Sequence, residues 1–458
     1  MTETVDAERF DQLYRACLLW PLDYVMIEVA QAGRRLRVRS GVFGAAPVYC
    51  RTTTDRLAIS WDFADFLVTP LTINLEIASH FLSLGNTYSA QHICAGITML
   101  TERASLFVEP GKASYHYPAA IEAAAPSALR EGDDPLVTFG ELLHHAISMR
   151  PLTATQIAVE LSGGMDSASV ASAVTAIHGP VASRGILLSG ECRHAQVARR
   201  RRIAERLGLL DETVDIAACP PTLNLRPGTQ RTEYPHAELY LEAFDTLWGS
   251  ARAQGRELLF TGVGGDELFP SYQNEAHVGS NKGRTVVERA REYADKLLTP
   301  RALGASRSLS GFDAPASPVP VSALLAGMCQ APHLLRHGLW PVNFLSDPNL
   351  VAFCHRLPRE SRQGRSIMRR YLHARLGEDV FPQHYIKETF ARVLPGLISE
   401  QAKAIAAQLQ DCALADLGLV DQRAALALLD TVATTQEDAP TAPLVAFLWL
   451  ERFVRQMG

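Results

Sequence analysis

The sequence has no basic excess: 44 Lys and Arg stand against 49 Asp and Glu, for a net charge of −5. A nucleic-acid binder would usually carry a clear basic surplus, so no polyanionic partner is implied. Long apolar runs are missing too. Stretches such as Ala323-Leu324-Leu325-Ala326 are core-sized, far below the roughly 18 residues that span a membrane. Met1-Thr2-Glu3-Thr4-Val5-Asp6-Ala7-Glu8 is acidic and lacks an apolar stretch, so no signal peptide is expected and the expected location is cytoplasmic. The eight cysteines contain no C-x-x-C pair, which removes the common zinc and thiol-redox motifs. Reduced, mostly buried thiols are the expectation. Internal repeats and low-complexity tracts are absent as well.

What remains is an ordinary globular balance, 47% hydrophobic and 20% charged, over 458 residues. That length favours two domains. Residues 1–118 read as β-rich, with short apolar runs such as Tyr24–Val29, Leu36–Val38, Val48–Cys50 and Leu57–Ser60 between turn signals. One helix is expected from Asn74 to Leu84. Residues 119–135 are Ala-rich, then contain Pro, Gly and acids, and read as a linker. From 136 to 458 strands and helices alternate: strands at Ile157–Leu161, Gly185–Leu188, Thr213–Ile216 and Glu257–Phe260, with helices at Ala168–Ile177, Val197–Leu207 and Glu238–Ala253. This alternation predicts βαβ units and a parallel sheet covered on both faces. Gly279–Val321 is rich in Arg, Ser, Ala, Gly and Pro, and Arg301–Pro320 in particular is expected to be weakly structured, as an active-site flap or a surface loop. Beyond Ser322 the pattern is mainly helical.

The central motif is Ser162-Gly163-Gly164-Met165-Asp166-Ser167, entered from the strand through Leu161 and opening a helix. Two glycines let successive N–H groups face one point, an anion nest at a helix N-terminus. Ser162 and Ser167 add hydroxyls. Asp166 would repel a bare phosphate, so it makes sense as a ligand of a bridging Mg²⁺. The Gly-Lys-Ser/Thr end of a Walker loop is missing, and so is the dinucleotide Gly-x-Gly-x-x-Gly. A second tight element, Phe260-Thr261-Gly262-Val263-Gly264-Gly265-Asp266-Glu267-Leu268-Phe269, also follows a strand. Carboxyl ends of parallel strands share one crevice, so Asp166 and Asp266 are expected to face it together, with Mg²⁺ between them.

These two elements resemble those of the asparagine synthetase family. Gly41–Tyr49 is similar to a stretch of that family's amino-terminal domain, and Pro382–Lys387 with Phe390 to its late Pro…Lys…Phe segment. The resemblance implies an α/β two-domain protein: an N-terminal glutaminase-like (Ntn-type) β-rich sandwich, then a PP-loop ATP pyrophosphatase domain with a parallel sheet and a helical tail. It implies ATP on Leu161, Ser162, Gly163, Gly164, Asp166, Ser167, Leu188, Thr261, Gly262 and Gly264, with Leu188 meeting adenine through its backbone. It also implies Mg²⁺ on Asp166 and Asp266, and catalysis by these two with Lys387, whose ammonium would hold the reacting acyl-phosphate. Active glutaminases of the family expose a cysteine after methionine removal, where this chain has Thr2 and a first cysteine at Cys17. The amino-terminal domain is therefore expected to be inactive, and the substrate to bring its own amine.

Two classes of relative fit that loss: lasso-peptide cyclases and β-lactam synthetases. The latter carry a tyrosine where this chain has Val263, which cannot act as a base. The expectation is thus an ATP-dependent ligase that joins an Asp or Glu side chain of a precursor core peptide to the peptide's N-terminal amine. A pre-positioned peptide demands less of a base, because proximity lowers much of the barrier. A leader peptidase and a leader-binding protein are the implied partners; no nucleic acid and no membrane span are expected. A small-molecule amide or β-lactam synthetase and a non-catalytic nucleotide-binding relative stay open.

Several residues have plainer readings. Asp347 sits where relatives carry Pro-Phe-x-Asp, but a helix N-cap accounts for it. Arg199-Arg200-Arg201-Arg202 spreads around a helix and reads as solvated surface. Glu191 and His194 follow the second strand; His194 and His236 read as surface or structural residues. Arg392 could assist with a phosphate or carboxylate.

Overall fold

The computed structural model describes all residues except 1–3, 21, 31–34, 55, 123–124, 151, 227–233, 236–237, 239, 270–284, 310, 383–387, 389, 391–392 and 458. Helix α1 (Ala7–Leu18) precedes strands β1 (Val25–Ala30), β2 (Arg35–Ser40), β3 (Tyr49–Thr52) and β4 (Leu57–Ser60). Helix α2 (Leu75–Leu82) and strands β5 (Thr98–Met99), β6 (Ser105–Glu109) and β7 (Lys112–His116) complete this part. The strands form two antiparallel sheets, β1-β2-β6-β7 and β4-β3-β5. Val38 and Leu106 of one meet Val48 and Cys50 from the other in a small apolar core. Residues 118–134 hold no helix or strand among those described, and two backbone bonds tie them to the rest of the chain: Ile121 N–H to Ala316 O and Ser127 N–H to Arg356 O.

Helix α3 (Pro135–Ser148) leads into β8 (Ile157–Glu160), α4 (Met165–His178), β9 (Ala182–Leu187), α5 (Arg193–Leu207), β10 (Leu210–Asp215), α6 (Leu241–Ala253) and β11 (Leu258–Phe260). After α7 (Val286–Leu297), α8 (Pro300–Ser308) and α9 (Val321–Arg336) comes β12 (Trp340–Val342). The five strands pair in parallel in the order β10-β9-β8-β11-β12. Alternate residues of β8 explain the layering. Ile157 and Val159 enter a core with α3 and α4, while Ala158 faces Leu241, Trp248 and Ala251 of α6. The chain runs from β8 to β9 on one side and takes up β11 on the other, so the crevice at the carboxyl ends of β8 and β11 is the topological switch point.

Helices α10 (Pro348–Arg356), α11 (Arg359–Arg362) and α12 (Ser366–Leu376) are followed by a tail of α13 (Val393–Gln408), α14 (Ala413–Asp416), α15 (Gln422–Thr435) and α16 (Asp438–Arg455). Asp347 caps α10, accepting from Asn349 N–H at 2.8 Å and Leu350 N–H at 3.3 Å, as the plainer reading has it.

One expectation is corrected. Within 279–321, α7 packs on α16 and α8 packs on α2, so the start of Arg301–Pro320 is helical, while its described residues after Ser308 hold no helix or strand, as expected. Thr285 opens α7 with a capping box to Glu288, and Thr299-Pro300 opens α8. Tertiary contacts stabilise these two short helices.

Candidate functional site

Strand β8 ends at Glu160 and the chain turns at once through Ser162-Gly163-Gly164 into α4. Gly163 has φ +100°, a conformation costly for any side-chain-bearing residue. A Cβ there would also meet Arg200 and Glu388 at 3.2 Å. Ser162 and Ser167 close the loop: Ser162 N–H donates to Ser167 Oγ at 3.1 Å, Gly164 N–H to Ser162 Oγ at 3.1 Å, and the two hydroxyls lie 3.0 Å apart. Helix α4 is buried throughout Ser167–Val174 and built from small residues, so its positive end is fixed under the loop.

The second element packs directly on the first. A Cβ on Gly262 would lie 3.2 Å from Ser167 N, and one on Gly265 would strike the Asp166 carboxyl at 2.4 Å. Only glycine at 265 lets the Asp266 loop approach Asp166 this closely. Thr261 is buried, its hydroxyl donating to Asn343 Oδ1 at 2.6 Å and accepting from Val263 N–H at 3.2 Å. Gly264, at φ +95°, sits against Ser346.

Asp166 and Asp266 do converge, and what joins them is Arg365. Its guanidinium donates to both oxygens of Asp166, at 2.8 and 3.0 Å, and forms an ion pair with Asp266. Arg365 itself adopts φ +56° at the start of α12. The two carboxylates therefore flank a common space, now filled by the guanidinium. Among the described residues no group of three or more His, Cys, Asp or Glu could hold a metal, so a cation here needs further oxygens from a phosphate. That donor set suits Mg²⁺.

The arginine run is corrected. Arg201 and Arg202 are exposed, but Arg199 and Arg200 are buried. Arg199 Nε donates to Gly163 O at 2.7 Å and its guanidinium pairs with Glu388, both side chains 7% exposed. Arg200 pairs with Asp211 at 2.6 Å. One face of α5 thus clamps the phosphate loop from below. Gln196, on the same helix, donates to Ser162 O at 2.8 Å and Ile186 O at 3.0 Å and accepts from Leu188 N–H at 2.8 Å.

Leu161, Ser162, Gly164, Asp166, Ser167, Leu188 and Gly262 line one cavity of about 1160 Å³, open mouth included. Its other wall is apolar, built from Phe244, Leu247, Trp248, Val263 and Phe390. The N–H of Leu188 is already engaged by Gln196, so of its backbone only the carbonyl, which accepts a 3.4 Å bond from Arg193, faces other chemistry. Lys387, Arg392, His236 and Thr2 lie outside the described residues. Glu388, next to Lys387, is held by Arg199, and Phe390 stacks on Tyr240 at 4.1 Å while its carbonyl accepts from the Tyr240 hydroxyl at 3.0 Å. Glu191 and His194 are exposed.

Sequence reasoning missed three contributors. Arg365 carried no signal. Arg199 was visible, but the run of four concealed that two members face inward. Glu160 did carry one: a carboxylate closing an otherwise apolar buried strand. Burial raises its pKa to about 7, with the Glu238 carboxylate adding to the rise and a 3.4 Å bond from Trp248 Nε1 opposing it.

Residues 138–319 match the family model described as asparagine synthase. The matched segment runs from within α3 to just before α9 and includes both loops. Members of that family use ATP, usually with Mg²⁺. A comparison with curated proteins finds no match. No described helix is long and apolar enough to cross a membrane.

Proposed function

We propose that the chain is an ATP-dependent, AMP- and pyrophosphate-forming amide ligase that activates an Asp or Glu side chain of a precursor core peptide and closes a macrolactam with the peptide's N-terminal amine. The observation that carries this reading is the single cavity joining the phosphate loop, the second loop and the segment beside Lys387.

The loop N–H groups and the positive end of α4 bind and orient the triphosphate, leaving the α-phosphorus toward the cavity. The peptide carboxylate attacks that phosphorus and pyrophosphate departs into the nest. Asp166 and Asp266 would hold Mg²⁺, which supplies neutralisation of phosphate charge when bound. Arg365, now between the carboxylates, is placed to turn its guanidinium to the departing pyrophosphate. Lys387 would hold the acyl-phosphate oxygens while the amine attacks.

An internal amine replaces ammonia because the amino-terminal region offers no competent thiol among its described residues. Cys17 is exposed on α1, a helix with no buried side chain, and burial pushes the Cys50 and Cys94 thiols up to about 12. The glutaminase-like region is then a relic that serves the shared core, and the cell interior is the proposed location, beside a leader peptidase and a leader-binding protein. A small-molecule or β-lactam synthetase is the second reading; Val263 on the cavity wall weighs against it, because it cannot serve as the tyrosine base of those enzymes. A non-catalytic nucleotide binder is weighed down by the complete loop and both aspartates.

Replacing Asp166 with Ala should reduce pyrophosphate release by roughly 10²-fold or more, the scale of losing one electrostatic contact to a reacting group. Unimpaired release by D166A would contradict the scheme.

A further inference from the structure

The proposed reaction needs a proton acceptor, and Val263 is not one. When the peptide amine attacks the acyl-adenylate, the C–N bond forms, the bond between the acyl carbon and the AMP oxygen breaks, and the nitrogen must lose a proton. AMP leaves as the phosphate anion. We infer that Glu160 is the residue that takes this proton. The inference rests on the reading above, that this site makes an amide from an acyl-adenylate.

Glu160 is the last residue of β8, two positions before Ser162, and lines the same cavity as the phosphate loop. In the parallel pairing of β8 with β11, Phe260 lies beside Val159. One step further, Glu160 lies level with Thr261, at the start of the loop that carries Val263. The pleat turns Glu160 away from the α4 core toward α6, where Phe244, Leu247 and Trp248 form the apolar wall.

The other ionisable groups among the described cavity residues are committed. Asp166 is paired with Arg365, Glu388 with Arg199, and Arg184 with Glu212 at 3.3 Å, besides donating to Ser183 O and Gln254. Among the described residues the Glu160 carboxylate has one side-chain hydrogen bond, the 3.4 Å contact from Trp248 Nε1, which leaves acceptor positions toward the cavity.

Its surroundings set its basicity. From the segment before α6, the carboxylate of Glu238 acts on it; from α9, Gln330 lines the cavity and reaches Glu238 at 3.4 Å, with the thiol of Cys329 nearby under the same Glu238 field. Arg184 on β9 is turned to its own partners, and the α6 wall carries no charge toward the cavity. The result is a carboxyl near 7, where a general base works best at neutral pH.

The test uses the full-length enzyme, ATP and the leader-free precursor peptide encoded beside the gene, following pyrophosphate, cyclised peptide and, with hydroxylamine added, the peptide hydroxamate. Glu160→Gln should lower ring closure by about 10²-fold, a typical general-base contribution. Pyrophosphate release and hydroxamate formation should stay within a few-fold of the parent, because hydroxylamine needs no base. The parent's first-turnover ring closure should also show a rising limb near pH 7, below the limb at about 8 set by the peptide's own α-amine, that pyrophosphate release lacks; a single limb at about 8 would overturn the assignment even if the variant folds poorly. Ring closure at the parental rate in E160Q, or an equal loss of first-turnover pyrophosphate release, would overturn the assignment. If the parent enzyme releases no pyrophosphate with any peptide, the ligase reading itself fails, and this inference with it.

Discussion

At the scale of single residues, the site depends on groups held where they are costly. Glu160 is the clearest case. Its folded pKa is about 7, against 4.5 for an ordinary glutamate. A raised carboxyl contributes stability that is present below about 4.5 and is lost as pH rises to about 7, because the unfolded chain releases the proton first. The span corresponds to at most about 3 kcal/mol. Glutamine has no such loss. In denaturant titrations E160Q should therefore gain on the parent between pH 4.5 and 7.5, by up to that amount; a stability gap that does not change with pH would contradict the burial argument. Gly265 makes the complementary point, since its missing Cβ lets Asp166 and the Asp266 loop share Arg365.

At the scale of elements, the phosphate loop is held from two sides, by the fold of β8 into α4 and by the inner face of α5. Arg199 links Gly163 O to Glu388, and so ties the loop to the segment that carries Lys387. Removing one partner of such a buried pair leaves an uncompensated charge and costs ~3–5 kcal/mol. Arg199→Ala should lower the denaturant midpoint accordingly and weaken ATP binding; a variant as stable as the parent would show that the clamp is incidental. The strand-loop-helix pattern around Ser162–Ser167 was legible because apolar runs, paired glycines and an N-terminal Asp are local signals. The parallel sheet was legible for the same reason. The inward turn of Arg199 and Arg200 was not, because four consecutive charges have no period and only the packed partner decides which face is buried. Arg365 was equally hidden: Asp166 lies 199 residues away, and Asp266 is also remote in sequence. Helix α7 carried local signals, a capping box of Thr285 and Glu288 and a buried face of Ala290, Ala294 and Leu297, that the loop-like composition around it masked; α8 rests on contacts with α2, distant in sequence.

At the scale of the whole molecule, the largest apolar core ignores the 119–135 segment. Tyr49, Phe63 and Phe66 from the amino-terminal region share it with Phe447, Trp449 and Phe453 of α16, and Phe63 meets Phe453 at 5.6 Å. Asp62 adds a bidentate contact to Arg336, both bonds at 3.0 Å. The amino-terminal region thus has a structural role in the shared core. Sequence periodicity could not show this, since two regions separated by a linker-like stretch give no sign of a common core. The ligase account stands on the cavity at the carboxyl end of β8, beside the Ser162–Ser167 loop. The measurement that tests it most directly is pyrophosphate release from ATP with the leader-free precursor peptide, read beside the peptide's mass. The account predicts AMP and pyrophosphate in step with a peptide lighter by one water. Pyrophosphate with a small amino acid but never with the peptide, or no turnover of ATP at all, would contradict it.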